Sequence, residues 1–253
     1  MSNIVVLIPC FNEVEGIPQL CTRLSKVLPE LGKDTEVVFV DDGSTDGTSD
    51  LIRREAASFR YRIIVHEHNK GIGAAFKTGL SAIDADIVVT MDSDCTYDPE
   101  RISELLTLLR DGNDIVTGSP YHPEGEVVGV PGWRLMLSRS LSLMYWCILP
   151  QRLYTYTSCF RAYRGTVIPK LSAESDGFLG VAQLLVSGIL NGAKVAELPA
   201  KLTRRQFGQS KIKIVRVILS HLGYIAHVVV QQVRRHILRS RPTFIPSKPM
   251  YRQ

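Results

Sequence analysis

Two carboxylates one residue apart, Asp92 and Asp94, follow an apolar run from Ile87 to Met91. Such a run reads as a buried strand, and in open α/β sheets ligands collect beyond the carboxyl ends of strands. Hard oxygen ligands at that place suit a divalent cation that also grips phosphate. Asp and Ser are also ordinary turn residues, so Asp92-Ser93-Asp94 alone leaves both readings open. Two further polar loops follow apolar runs: Phe11, Asn12 and Glu13 come after Ile4–Pro9, and Asp41, Asp42 and Asp46 after Glu36–Val40. An aromatic ring beside carboxylates suits a nucleoside, the ring against the base and a carboxylate accepting from ribose or base. A capped helix start and a plain turn are the alternatives. Asn69-Lys70-Gly71-Ile72-Gly73 has neither P-loop spacing nor a full GxGxxG. It does set a cation and backbone N–H groups at a helix start, which favours an anion.

The elements that must position these loops alternate. Apolar runs at Ile4–Pro9, Glu36–Val40, Tyr61–Val65, Ile87–Met91 and Ile115–Gly118 read as strands. Helical periodicity separates them, for example Ile17, Leu20, Leu24, Val27 and Leu28, or Ile102, Leu105, Leu106 and Leu109. This predicts βαβ units and a mostly parallel sheet flanked by helices, with the three acidic loops crowding one edge. Beyond residue 120 the alternation fades. Residues 133–149 fit a packed core helix or a helix with a Ser/Arg stripe lying in a membrane interface. Phe178–Leu190 reads as a helix, Ala193–Leu198 as a short strand, and residues 212–233 as an amphipathic helix.

Residues 201–253 hold 12 of the 30 Lys and Arg and none of the 25 Asp and Glu, so this segment is +12 and residues 1–200 are −7. That asymmetry fits an anionic partner or a solubilising tail. A nucleic-acid surface is disfavoured, because aromatic interleaving and a nucleic-acid motif are both missing. Five scattered cysteines without a CxxC speak against a disulfide framework or a zinc site and for a reducing compartment. There is no basic region ahead of the first apolar run to make a signal peptide, and no uninterrupted apolar run of spanning length.

The combination of Ile8-Pro9-Cys10-Phe11-Asn12-Glu13, Val40-Asp41-Asp42-Gly43-Ser44-Thr45-Asp46-Gly47, Asn69-Lys70-Gly71 and Met91-Asp92-Ser93-Asp94 resembles the inverting family 2 glycosyltransferases. It is most similar to the branch of dolichol-phosphate mannosyl- and glucosyltransferases. Thr157-Ser158-Cys159-Phe160-Arg161 resembles that branch's TSGFR, and Arg205 through Lys211 its RxxGxSK. The resemblance implies a GT-A fold that binds a GDP- or UDP-sugar. Carried over, Pro9, Phe11, Glu13, Asp41, Asp42, Lys70, Gly71, Asp92 and Ser93 hold the nucleotide sugar. Asp92 and Asp94 hold Mg2+ or Mn2+ on the diphosphate. Asp92, Asp94, Arg205 and Lys211 carry the catalysis, and Arg161, Arg164 and Ser210 receive an acceptor phosphate.

Four positions depart from the branch: Thr96 where Gln is frequent, Pro120 where an Arg is, Cys159 in place of Gly, and Gln183 in place of a carboxylate. The loop after the third strand looks closer to glucosyl-type relatives. The expectation is hexose transfer, mannose or glucose, to a polyprenyl or dolichyl phosphate at the cytoplasmic face of a membrane. Transfer from a UDP-sugar to a saccharide or small-molecule hydroxyl, with Asp176 or Glu174 as base, is the alternative, and a nucleotide-sugar-binding scaffold is the non-enzymatic one. Residues 1–211 form the expected transferase domain, 212–241 an amphipathic helix on anionic lipid, and 242–253 an extended basic tail. A membrane-protein partner or a homo-oligomer stays open.

Overall fold

A computed structural model describes residues 3–205 and 214–239; of residue 214 and residues 235–239 it describes the backbone alone. The chain runs β1 (Ile4–Cys10), α1 (Ile17–Leu31), β2 (Glu36–Asp41), α2 (Thr48–Glu55), β3 (Tyr61–Val65), α3 (Ile72–Ser81), β4 (Ile87–Thr90) and α4 (Ile102–Arg110). It continues with β5 (Ile115–Ser119), β6 (Glu126–Val128), α5 (Gly132–Ile148), β7 (Arg161–Arg164), α6 (Phe178–Leu190), β8 (Val195–Pro199), β9 (Lys201–Thr203) and α7 (Ile214–Arg239).

Seven strands form one sheet in the order β3-β2-β1-β4-β7-β5-β8. All are parallel except β7, which lies antiparallel between β4 and β5. The sheet is therefore mostly parallel, as the alternation predicts. The chain winds outward from β1 through β2 to β3 and then returns to lay β4 on β1's other side. That reversal opens a crevice beyond the carboxyl ends of β1 and β4, the place where such sheets bind ligands. Strands buried on both faces are apolar at every position. In β1, Ile4, Val6 and Ile8 pack with α1 and α4, whereas Val5 and Leu7 pack with Ala75 and Phe76 of α3 and Val181 and Leu184 of α6. The period-two alternation of a strand thus serves two helical layers.

A third cluster joins Tyr145 of α5, Leu185 and Ile189 of α6, and Ile225 and Val228 of α7. The Tyr145 hydroxyl lies 2.8 Å from His221 Nδ1 inside it. Both α5 and α7 therefore have a face in the core. Their other faces stay exposed, with Trp133, Met136 and Leu143 on α5 and Val215, Leu219, Val230 and Val233 on α7. No helix among the described residues is long and apolar enough to cross a membrane. The two three-residue strands β6 and β9 pair in a separate ribbon that sequence periodicity did not reveal.

Candidate active site

The site grows from four loops at the crevice. Loops one and two are laced together. Asn12 N donates to Ser44 Oγ (2.8 Å), Thr45 N to Asn12 Oδ1 (2.8 Å), Glu13 N to Thr48 Oγ1 (2.9 Å) and Val14 N to Asp46 Oδ2 (3.2 Å). Burial works against ionisation of Asp46, but hydrogen bonds from Thr48 and the Val14 amide hold its carboxyl below the usual range. Asn12 has φ 53° and Cys95 φ 53°, the two non-glycine residues in the left-handed region among the described residues. Both flank the crevice, and such conformations concentrate where the surroundings enforce them for function.

The fourth loop carries the paired carboxylates. Met91 N continues the ladder onto Leu7 O (3.2 Å), so the pairing runs past β4 and sets Asp92 at the edge where β1 ends. Asp94 Oδ1 accepts from Thr96 N (3.1 Å). Burial, then the neighbouring Asp94 charge, push the Asp92 carboxyl well up, against hydrogen bonding from the Cys159 thiol and the pull of Arg205. Two acids this close in a partly buried place call for positive charge. Part of it comes from Arg205, whose Nε lies 3.7 Å from Asp94 Oδ2 and whose Nη2 pairs with Glu13. The β6–β9 ribbon brings Arg205 there: Thr203 N donates to Thr96 O (3.0 Å) and Arg204 N to Val128 O (3.0 Å).

No cluster of three or more His, Cys, Asp or Glu side chains poised for a metal occurs among the described residues. Asp92 and Asp94 alone would offer two hard oxygen ligands, an incomplete shell. That fits a Mg2+ or Mn2+ ion held jointly by protein and phosphate oxygens.

Asp41 and Asp42 sit at the same edge but turn inward, 1% and 3% exposed. Asp41 Oδ1 accepts from Ser44 N (2.9 Å), and its Oδ2 from Ser49 Oγ. Asp42 accepts from the amides of Lys70 (2.9 Å) and Gly71 (2.7 Å). In this arrangement both carboxylates shape loops. Lys70 is exposed, Phe11 is half-buried, and Pro9 and Ser93 are buried in the frame of the crevice. Gly71 has φ 105°, and a Cβ there would lie 2.4 Å from Asp176 O, so the loop before α6 closes on this turn. Asp176 itself pairs with Lys77 (2.6 Å). Glu174 is exposed, and its amide and that of Ser175 donate to Gln183 Oε1.

Two expected acceptor residues are elsewhere. Arg161 is fully buried, with Nη1 on Val181 O (2.6 Å), Nη2 on Tyr156 O (2.7 Å) and Nε 3.4 Å from Thr117 Oγ1. Its guanidinium holds β7 to β5 and α6 inside the core, away from any surface where a phosphate could meet it. Arg164 pairs in register with Ile87 at the far end of β4. It donates to Asn113 O (2.7 Å) and to Leu109 O (2.6 Å) in the last turn of α4, at the sheet edge opposite Asp92. Ser210 and Lys211 lie outside the described residues.

The sequence family decides what this crevice belongs to: the model for glycosyl transferase family 2 matches residues 5–171, which span β1 to the turn after β7. The chain belongs to glycosyl transferase family 2. A polyprenol monophosphomannose synthase from Mycolicibacterium smegmatis is 33% identical over 216 residues, 82% of this chain and 80% of that protein. A dolichol-phosphate mannosyltransferase from Pyrococcus furiosus is 30% identical over 225 residues, 88% of this chain but 62% of the longer relative. In fold, this glycosyltransferase is similar to a mannosyltransferase from Pyrobaculum calidifontis solved with GDP-Man and Mn2+, at TM-score 0.63 and 18% identity over 91% of this chain and 64% of that one. The GT-A expectation holds, and both named sequence relatives act with mannose, whereas the third-strand loop had pointed toward glucose.

Two further residues stand behind the candidate site. His66 contacts Asp42, and the Cys159 thiol, pushed up by burial, faces the Asp92 charge from the strand-β7 side, which pushes it up further. His66 carries no local sequence signal, since its partner lies far away in the chain; Cys159 stands out as the departure from Gly in the TSGFR-like segment, but its place beside Asp92 could not be read there. Helix α5 also borders this region: Ser138 Oγ lies 3.4 Å from Thr157 Oγ1, two residues before Cys159.

Proposed function

We propose that this family 2 glycosyltransferase moves a hexose, with mannose favoured, from a GDP- or UDP-sugar to a polyprenyl phosphate in a single inverting displacement. The observation that carries the reading is the convergence of Asp92, Asp94, Glu13 and Arg205 at the crevice between β1 and β4. In this reading the nucleotide lies along the laced loops after β1 and β2, its diphosphate reaching Asp92 and Asp94. A phosphate oxygen of the acceptor attacks the anomeric carbon as the bond to the diphosphate oxygen breaks. That acceptor oxygen is already anionic, so no strong general base is needed. Negative charge builds on the departing nucleoside diphosphate, and Arg205 stands where it would neutralise that charge. A divalent cation on Asp92 and Asp94 would supply Lewis-acid stabilisation of the same diphosphate.

A lipid acceptor is presented at a membrane, and we assign the exposed apolar sides of α5 and α7 to that surface. Trp133, Met136, Leu143, Val215 and Leu219 are flanked by exposed Arg134, Arg139, Arg152 and Arg216. Arg134 lies over Trp133 and Arg152 over Trp146, with guanidinium carbons 5.4 and 4.3 Å from the ring centroids. Aromatic, apolar and cationic groups together suit the interface of an anionic bilayer.

The test is a transfer assay over GDP- and UDP-linked hexoses with Mn2+ or Mg2+, with and without a polyprenyl phosphate. Lipid-linked hexose formed from one donor class and abolished by chelation supports the reading. Transfer to sugar hydroxyls with no lipid-linked product overturns it.

A further inference from the structure

His66 follows β3 and is 7% exposed. Its Nδ1 lies 2.6 Å from Asp42 Oδ1, and its Nε2 lies 2.9 Å from Thr78 Oγ1 on α3. Its backbone N donates to Asp41 O (2.8 Å), so the ring is anchored through the main chain as well. Because an ionised carboxylate only accepts, Nδ1 is the donor to Asp42. The same carboxylate accepts from the amides of Lys70 and Gly71, which open α3. Thr78, His66, Asp42 and the 70–71 turn therefore form one continuous line of hydrogen bonds. It runs from the second half of α3 back to the helix's own start.

The order hydroxyl, imidazole, carboxylate is that of a nucleophile-activating triad. Here the imidazole is closed off, and the carboxylate holds loop amides on both its oxygens, so the arrangement does not expose an activated hydroxyl to a substrate. Its output is geometric. Asp42 at 3% exposure keeps its orientation only while its partners stay in place. The turn it grips has little freedom of its own, since Gly71 is left-handed and already lies against Asp176 O. Two amides held by a carboxylate, and that carboxylate held by a ring locked at its other nitrogen, fix the turn's position relative to the end of β2.

We infer that His66 is a positioning residue for donor binding, acting through Asp42 on the Lys70–Gly71 turn. The inference rests on the proposed reading, in which that turn borders the nucleotide half of the donor. Losing the imidazole frees the Asp42 carboxylate to rotate, and the turn with it. Donor affinity falls while the reacting groups at Asp92, Asp94 and Arg205 stay in place.

The test uses the full chain and titration calorimetry with GDP and with UDP in the presence of Mn2+, alongside steady-state transfer and thermal melts. His66→Ala is expected to weaken nucleotide binding and to raise the donor KM by about 10-fold or more, with kcat changed less than about 3-fold. His66→Asn places an amide N–H near the Nδ1 position and is expected to recover most of the affinity. Thr78→Val, which removes only the Nε2 partner, is expected to give an intermediate loss. Folded His66→Ala that binds nucleotide like the wild type overturns the inference, as does a loss that falls on kcat alone. If His66→Ala does not fold, unchanged binding by Thr78→Val overturns it. Wild-type protein that binds neither nucleotide overturns the reading of the site itself, a result distinct from equal binding by wild type and variants.

Discussion

The Arg205 guanidinium bridges Glu13, on the loop after β1, and Asp94, on the loop after β4, with Nε 3.7 Å from Asp94 Oδ2. One cation thus ties together two loops that are 81 residues apart in the chain. Replacing it with Gln keeps a polar side chain, shorter than Arg, and removes the charge. Arg205→Gln is expected to lower kcat about 100-fold, near 2.7 kcal/mol of transition-state stabilisation. Steady-state kinetics on the folded variant check this, and activity within about 3-fold of the wild type would remove Arg205 from the mechanism.

Asp94→Asn keeps the hydrogen-bond acceptor toward Thr96 N and deletes one hard anionic ligand. The variant is expected to melt within a few degrees of the parent, while Mn2+ binding in the presence of nucleoside diphosphate, followed by electron paramagnetic resonance, weakens strongly. Turnover is expected to fall more than about 100-fold. Retained Mn2+ affinity would show that the Asp92 and Asp94 pair is not the metal site.

Arg161 predicts a stability effect. Arg161→Ala removes the guanidinium bonds to the Val181 and Tyr156 carbonyls, takes from Tyr156 O the Arg161 partner that it has outside any helix, and leaves a cavity in the core. A buried group that loses its partner destabilises by about 1–3 kcal/mol and the cavity adds to that, so urea unfolding is expected to shift by roughly 3 kcal/mol. The acceptor KM of whatever folds is expected to stay near that of the parent. A selective rise in acceptor KM without loss of stability would restore Arg161 to the acceptor site.

His221 supplies a pH dependence. Burial against Tyr145 lowers it from 6.5 to about 4. The unfolded chain takes up its proton near pH 6.5 and the folded one only near pH 4, so the stability it contributes is complete above 6.5. It is lost as pH falls from about 6.5 to about 4, to the extent of about 3 kcal/mol. His221→Gln is expected to flatten this part of the pH–stability profile in denaturant melts at pH 7.5 and 5. An unchanged slope would mean that another group controls it.

The exposed side of α7 carries the membrane prediction. Val215 is 71% exposed and Leu219 63%. The double substitution Val215→Glu with Leu219→Glu leaves the buried contacts of Ile225 and Val228 in place, and is expected to reduce co-sedimentation with anionic vesicles at least about 10-fold. Removing α7 altogether is the poorer experiment, because the helix also fills the third core cluster. Undiminished vesicle binding by the double variant would move the contact elsewhere.

Much of the sheet was legible because strands buried on both faces are apolar at every position, as in Ile4-Val5-Val6-Leu7-Ile8. Strand β7 was not, since Arg161-Ala162-Tyr163-Arg164 begins and ends in guanidinium groups whose hydrogen bonds come from residues up to 55 positions away. The residue types at the crevice could be read, but not which way they face. Asp41 and Asp42 look like ligands in sequence and turn inward in the fold, because Ser44, Ser49 and the 70–71 amides claim their oxygens. His66 gave no signal, as nothing in Val65-His66-Glu67 indicates that a carboxylate from another strand end will meet it.

Strand β7's antiparallel course fixes where residues 120–160 must lie. β5 ends at Ser119 and β7 begins at Arg161, and both ends point to the edge that bears Asp92. Everything between them, α5 included, is one excursion that leaves and re-enters at the rim of the crevice. Phe11, Asp41, Asp42 and the 70–71 turn all precede it in the chain. Residues 120–160 therefore form a visor over the rim, and the chain returns beyond it to bring Arg205 back to Glu13 and Asp94.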